Sequence, residues 1–187
     1  VVVIPTVVDL ERYPLLPVTR DSSLFTIGWI GSPTTAKFLQ PIASALAKLC
    51  ADGRARVVLI GSGPVDLPGL SVELLPWTEV DEVELLRGFD VGIMPLPDEP
   101  WARGKCGFKL IQYMALGLPV VASPVGVNAE IVEEGVNGYL ASNPDEWFAA
   151  LQRLLDNPTD RQRLGQAGRR KVEAHYCLQV TAPKWVN

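Results

Sequence analysis

Arg103, Lys105 and Lys109 crowd the start of an otherwise apolar helical pattern, within and just before the run KCGFKLIQYMALGLPVVASPVGVN at 105 to 128. Cations at a helix N-terminus oppose its dipole, at a cost of roughly a few tenths of a kcal/mol or more. An anion lodged among them turns that cost into a gain. Lys109 and Gln112 stand three apart and share a helix face. That face offers an ammonium for a phosphate and an amide for a sugar hydroxyl. A solvent-facing surface helix explains the same residues equally well, and the spacing leaves both readings open.

Other turns carry weaker signals. GSPTT at 31 to 35 opens a helix and holds backbone N–H groups and hydroxyls suited to a phosphate. A plain N-cap by Ser32 or Thr34 is the simpler reading. No Gly-Lys-Ser/Thr ending follows, so this is not a P-loop, and GSG at 61 to 63 lacks the rest of a GxGxxG fingerprint. Trp77 and Trp101 follow strand ends, where they either stack on a base or sugar or cover the edge of the core. Asp98 and Glu99 read as a solvated pair rather than a metal site. The single histidine, His175, lies far from these segments. No nucleophilic triad, catalytic residue or metal ligand is assigned.

The elements that must position these residues alternate. Strands are expected over 24–30, 55–63, 71–76, 89–95, 118–123 and 138–141. Helices are expected over 36–50, 79–88, 108–117, 128–135, 144–157 and 158–176. Segment 96–104 reads as a loop. Pro41 falls in the first turns of its helix, where proline is best tolerated. Asn143 and Asn157, each before a proline, read as caps. Such alternation predicts an α/β fold with a parallel sheet of about six strands and helices on both faces. Ligands of such sheets bind beyond the carboxyl ends of the strands.

Composition bounds the partners. The 187 residues carry a net charge of −4, and a scattered, slightly acidic charge pattern argues against nucleic acid. The basic cluster GRRK at 168 to 171 reads as a solvated helix face. Three distant cysteines, Cys50, Cys106 and Cys177, fit reduced thiols in a cytoplasmic setting. No apolar run approaches the roughly 20 residues that span a bilayer. The opening VVVIP reads as a strand entered from something upstream, and the absence of an initial Met suggests a fragment.

Residues 89 to 140 bring a resemblance. YMALGLPVVAS is similar to an EAMACGLPVVAS-like block, and VGVNAEIVEEGVNGYL resembles the block usually written GGxxEIVxxGxxGxL. Both belong to the donor-binding, C-terminal domain of GT-B fold glycosyltransferases of the large retaining group 1 family (family 4). VVVIPTVVDLERY resembles the interdomain linker of that family, and HYCLQVTAPKWVN its final crossover helix. The resemblance implies a linker remnant at 1–20, a Rossmann-like nucleotide-sugar domain at 21–175 and a crossover helix at 176–187.

The same resemblance implies transfer of a hexosyl group from a UDP- or GDP-linked sugar to a glycan, lipid or small-molecule acceptor, with no cofactor beyond that donor. It implies a missing N-terminal acceptor-binding partner domain, an isolated fragment without activity, and a cytoplasmic location that includes the inner face of the membrane. Any membrane association would then come through the absent half. Two alternatives stand beside it: half of a GT-B type UDP-sugar 2-epimerase, and a degenerate, non-catalytic nucleotide-binding module.

Residue by residue, the E-x7-E motif of the family falls on Gly104 and Gln112, so the first glutamate is absent and the second is an amide. The diphosphate clamp falls on GWIGSPTT, where Trp29 takes the arginine place and Thr34 or Thr35 the lysine place. Lys109 and Lys105 are therefore expected to supply charge to the donor phosphates, with backbone groups of Gly31, Ser32, Gly107 and Phe108. Gln112 is expected at the ribose, and Trp77 and Thr78 at the base.

Overall fold

The computed structural model describes residues 5–15 and 24–185. Six parallel strands form one sheet: β1 (Phe25–Ile30), β2 (Ala55–Ile60), β3 (Val72–Leu75), β4 (Val91–Met94), β5 (Val120–Ala122) and β6 (Gly138–Leu140). Their order is β3-β2-β1-β4-β5-β6, a doubly wound arrangement whose direction of growth reverses beside β1. The expected α/β class, strand number and parallel sheet are all present.

The first half of the chain supplies α1 (Pro33–Ala36), a 3₁₀ turn (Lys37–Ile42), α2 (Ala43–Cys50), α3 (Glu82–Arg87) and α4 (Pro100–Arg103). The second half supplies α5 (Phe108–Ala115), α6 (Asn128–Ile131), α7 (Pro144–Asp156), α8 (Pro158–His175) and α9 (Leu178–Thr181), and α9 runs into a second 3₁₀ turn at Ala182–Trp185.

Alternation along the strands divides two cores. Phe25, Ile27 and Trp29 of β1 join α2 and α7 on one face. Ile30, Val58 and Ile60 join α3 and α5 on the other. Two glycines on the second face make room for aromatic rings. A Cβ on Gly28 would lie 1.9 Å from the Phe89 ring, and one on Gly92 would lie 2.2 Å from the Tyr113 ring.

Several expected elements are altered for physical reasons. The helix expected over 36–50 divides, because Pro41 has no N–H to give and sits inside a 3₁₀ stretch between two α-helical pieces. The helix expected over 128–135 stops at Ile131, beyond which Asn137 ties the turn by accepting from Glu133 N–H and donating to the Ile131 carbonyl. Asn143 caps α7 by accepting from Glu146 N–H at 3.0 Å. Asn157 instead closes that helix, its amide donating to the Arg153 carbonyl at 2.8 Å. The loop expected over 96–104 contains the one-turn α4.

Within the GRRK cluster Arg170 is exposed as expected, but Arg169 and Lys171 are not simply solvated. Arg169 donates to the carbonyls of Tyr13, at 2.7 Å, and of Ala115, and pairs with Glu173. Lys171 donates to the Glu130 carbonyl and pairs with Glu133 at 2.7 Å. Arg169 therefore fastens the chain at Tyr13 to the end of α5. Val8 forms a parallel bridge with Cys177, which seats the segment before β1 against the start of α9. The strand expected over VVVIP lies outside the described residues apart from Pro5, as does the expected boundary between 20 and 21. Among the described residues no helix is long and apolar enough to cross a membrane.

Candidate functional site

A pocket of about 430 Å³ opens over the carboxyl end of β1, lined by residues that include Gly31, Ser32, Gly61, Trp77, Glu82, Phe108, Lys109 and Gln112. It sits where the sheet order reverses, the position at which doubly wound sheets leave a crevice.

Tyr113 fixes α5 against this end of the sheet. Its ring fills the space above Gly92, and its hydroxyl accepts from Ile30 N–H at 3.0 Å. Burial pushes the Tyr113 phenol well above its ordinary pKa, so it stays protonated. Lys109 lies one turn earlier on the same helix face and is thereby carried over β1. Its Nζ rests 4.1 Å from the centroid of the Trp29 ring. A Cβ on Gly31 would come within 2.5 Å of that ring and 2.6 Å of Nζ, so only glycine admits the lysine here. Trp29, which replaces a clamp arginine in the resemblance, is thus a buried floor under a cation delivered from α5.

Lys109 is the basic side chain of the pocket lining. Arg103 is held by Asp98 through bonds of 2.6 and 3.0 Å. The Lys105 ammonium lies 3.9 Å from the centroid of the Trp101 ring. No ion pair joins Lys109 to a carboxylate among the described residues. Desolvation, with a smaller push from Lys105, lowers its pKa from 10.5 to about 7. Leu110 is the first residue of α5 to donate back to Gly107 O, at 2.9 Å, so the N–H groups of Phe108 and Lys109 face out of the helix start.

The backbone groups expected from the first turn are engaged elsewhere. Gly31 N–H donates to the Ile60 carbonyl at 3.0 Å, and Ser32 N–H to Thr35 Oγ1 at 3.3 Å. Ser32 Oγ shares a hydrogen with Thr34 Oγ1 at 2.9 Å. Gly31 and Ser32 therefore shape the pocket wall, and the free N–H groups lie on α5.

Of the sequence-derived residues, Gly31, Ser32, Trp77, Phe108, Lys109 and Gln112 meet at the pocket, while Lys105, Gly107 and Thr78 are not among its lining. Gly107 is the left-handed turn (φ 68°) that starts α5. Thr78 is bonded to Asp81 at the start of α3. The PVGVN turn packs against the end of α4 instead, since a Cβ on Gly126 would meet the Arg103 carbonyl at 2.5 Å, and it is not among the pocket lining. His175 packs beside Tyr176 at the end of α8 and is not among the lining residues.

Two residues escaped the sequence reading. Glu82 is only 8% exposed, and its Oε1 accepts from Tyr13 Oη and Gln112 Nε2, each at 2.9 Å. Its Oε2 accepts from Trp77 Nε1 at 2.7 Å. Gln112 Nε2 also donates to Tyr13 Oη at 2.9 Å, so the NH2 of this amide is occupied by protein groups. Tyr13 is pushed up to about 12, chiefly by desolvation. The acidic start of α3 resembled an ordinary response to the helix dipole, and nothing around Tyr13 in the sequence marks it.

Among solved structures, a glycosyltransferase from Rickettsia africae superposes with a TM-score of 0.80 at 16% identity, covering 99% of this chain and 55% of that one. Anabaena Alr3699/HepE, in complex with UDP-glucose, superposes at 0.76 with 18% identity, covering 95% of this chain and 54% of that one. These likenesses show the fold. A D-inositol 3-phosphate glycosyltransferase of Thermobispora bispora is 30% identical over 165 residues, 87% of this chain and 34% of that protein. The chain spans less than half the length of the curated relatives it matches, from 19% to 44%. The sequence profile described as glycosyl transferases group 1 matches residues 24–157, well over half of the chain. A six-stranded doubly wound sheet, with the pocket at its switch point and this profile running from β1 to the end of α7, places the chain in the group 1 glycosyltransferase family.

Proposed function

We propose that this chain is the donor-binding half of a retaining glycosyltransferase and that the pocket over β1 holds the diphosphate and nucleoside of a UDP- or GDP-linked sugar. The observation that carries the reading is Lys109, an amine set over Trp29 at the switch point and joined to no carboxylate by an ion pair among the described residues. A diphosphate supplies the missing countercharge through charge-assisted hydrogen bonds, and the outward N–H groups of Phe108 and Lys109 add donors. Lys105 reinforces the positive potential from outside the pocket. Trp77, 51% exposed, offers a face to the base. The Anabaena neighbour crystallised with UDP-glucose supports this ligand class.

Hexosyl transfer to a glycan, lipid or small-molecule acceptor would then require a second, acceptor-binding domain. Transfer needs both substrates held in attack geometry, so the isolated chain binds donor without turnover. No resident cofactor or metal belongs to this reading.

Titration calorimetry with UDP, GDP and ADP and their sugar conjugates tests it. One uridine or guanosine nucleotide is expected to bind in preference to ADP. Absence of heat with all of them contradicts a donor site formed by this chain.

The pH dependence has opposite signs for folding and binding. Between about pH 7 and 10.5 the folded chain holds Lys109 neutral while the unfolded chain keeps it protonated. The unfolded state binds more protons there, so this group makes stability rise with pH across that window. A bound diphosphate favours the ammonium and must recruit a proton above pH 7. Nucleotide affinity is therefore expected to fall by about tenfold between pH 7 and roughly 8.5, and Lys109→Met flattens the profile. A flat wild-type profile in calorimetry removes Lys109 as the titrating group.

A further inference from the structure

The wall opposite the cation has a polarity of its own. Glu82 is a carboxylate, 8% exposed, in the lining of the same pocket. No lysine or arginine pairs with it among the described residues. Three uncharged donors hold it instead: Tyr13 Oη and Gln112 Nε2 on Oε1, and Trp77 Nε1 on Oε2. A buried carboxylate without a cation is costly, and three neutral groups from three separate segments converge to keep it in place.

Its capacity is not exhausted. An ionised carboxylate accepts about four hydrogen bonds. Oε1 receives two and Oε2 receives one. The remaining acceptor site needs an O–H or N–H donor, and a phosphate is excluded by like charge. The pocket is thus bipolar. Lys109 and Gln112 stand three residues apart on α5, and Gln112 is the residue that presents an amide to Glu82. Three residues, a backbone rise of about 4.5 Å, therefore separate the residue that brings the cation from the one that orients the carboxylate. A molecule matching this pattern is anionic at one end and carries hydroxyl donors a few bonds away, as a ribose 5′-diphosphate does.

We propose that Glu82 is a specificity-determining residue that accepts hydrogen bonds from the ribose hydroxyls of the bound nucleotide, with Gln112 and Tyr13 as its positioning residues. The inference rests on the donor-site reading above. It adds to Gln112, whose Nε2 is already committed to Tyr13 and Glu82, the carboxylate that this amide orients. Through Glu82, Tyr13 also links the segment before β1 to the pocket, since its hydroxyl bonds Glu82 while Arg169 holds its carbonyl.

The test compares the preferred nucleoside diphosphate with its 2′-deoxy and 3′-deoxy analogues by calorimetry, using wild type, Glu82→Gln and Lys109→Ala. Wild type is expected to favour the ribonucleotide over at least one deoxy analogue by about tenfold or more, the scale of a hydrogen bond to a charged group. Glu82→Gln is expected to lose most of that preference while keeping the affinity for that deoxy analogue within about threefold. Lys109→Ala lowers all affinities and leaves the ratio intact.

Should Glu82→Gln fail to fold, Glu82→Asp keeps the charge but draws it back by one methylene, and the same loss of preference is expected. A wild type that does not discriminate, or a variant that retains the full ribose preference, overturns the proposal while leaving the donor site standing. A variant that changes only the choice between uracil and guanine assigns Glu82 to the base and likewise overturns it. Absence of binding by any nucleotide overturns both readings.

Discussion

Replacing Lys109 with alanine is expected to weaken nucleoside diphosphate binding at least tenfold, about 1.4 kcal/mol, without destabilising the fold. The expectation comes from how alone this ammonium is. Arg103 is spent on Asp98, and Lys105 lies over Trp101. Neither is placed to substitute without moving a loop. The remaining contributors are N–H groups at the start of α5, and these are neutral. Folding gains nothing from the charge, because desolvation already disfavours it at Lys109. Truncation should therefore leave the melting temperature unchanged or slightly higher near neutral pH, while affinity falls.

That split separates a ligand-holding lysine from a structural one, whose removal would lower both. Lys109→Arg should restore little. Nζ already lies within 2.6 Å of where a Gly31 Cβ would be, and a planar guanidinium needs more room than an ammonium does. Calorimetry and thermal unfolding on the same preparations read both quantities. A melting point lowered along with affinity would assign Lys109 to the fold.

The largest expected effect on stability belongs to a glycine far from the pocket mouth. A Cβ on Gly165 would lie 1.9 Å from the Gly117 carbonyl oxygen and 2.8 Å from its carbon. Both are backbone atoms, and Gly117 is itself fixed in a left-handed turn (φ 71°) that ends α5. Gly168, one turn on, lies against Met114, with its own Cβ position 2.9 Å from that side chain. Glycine inside a helix costs roughly 0.5–1 kcal/mol relative to alanine, so two of them on α8 need a reason. The reason is the close approach of α5.

Gly165→Ala regains that propensity but must push the two helices apart. Overpacking of this kind typically costs about 1–3 kcal/mol, and an immovable carbonyl places this case at the upper end. A chain of this size should lose roughly 5–10 °C in melting temperature. Because α5 carries Lys109 and Gln112, the same substitution should also weaken nucleotide binding. An unchanged melting temperature would mean that α8 does not clamp α5.

The sheet was legible because strand patterns and glycine turns alternate with helical patterns, and each β-α-β unit closes locally. Lys109 was legible as a cation out of place at a helix start. What escaped was whatever depends on distant segments meeting. Gln112 read as a ribose ligand because its face was right, and the sequence did not show that its Nε2 is taken by Glu82 and Tyr13, 30 and 99 residues away in sequence. The backbone donors of Gly31 and Ser32 were plausible from the turn alone, but the sheet and Thr35 take them. Arg169 looked solvated because nothing in its helix shows that the chain at Tyr13 and the end of α5 converge on it. Periodicity reports which face is buried, and it does not report which polar groups meet inside.

The most direct test of the central claim is proton counting. The preferred nucleotide would be titrated into wild type and Lys109→Met by calorimetry at about pH 8, in two buffers of different ionisation enthalpy. With the free lysine at about 7, binding of the diphosphate should draw close to one proton from the buffer, and the methionine variant should draw none. Equal proton uptake by the two proteins, or none by the wild type, would contradict the assignment of Lys109 as the charge that holds the donor phosphates.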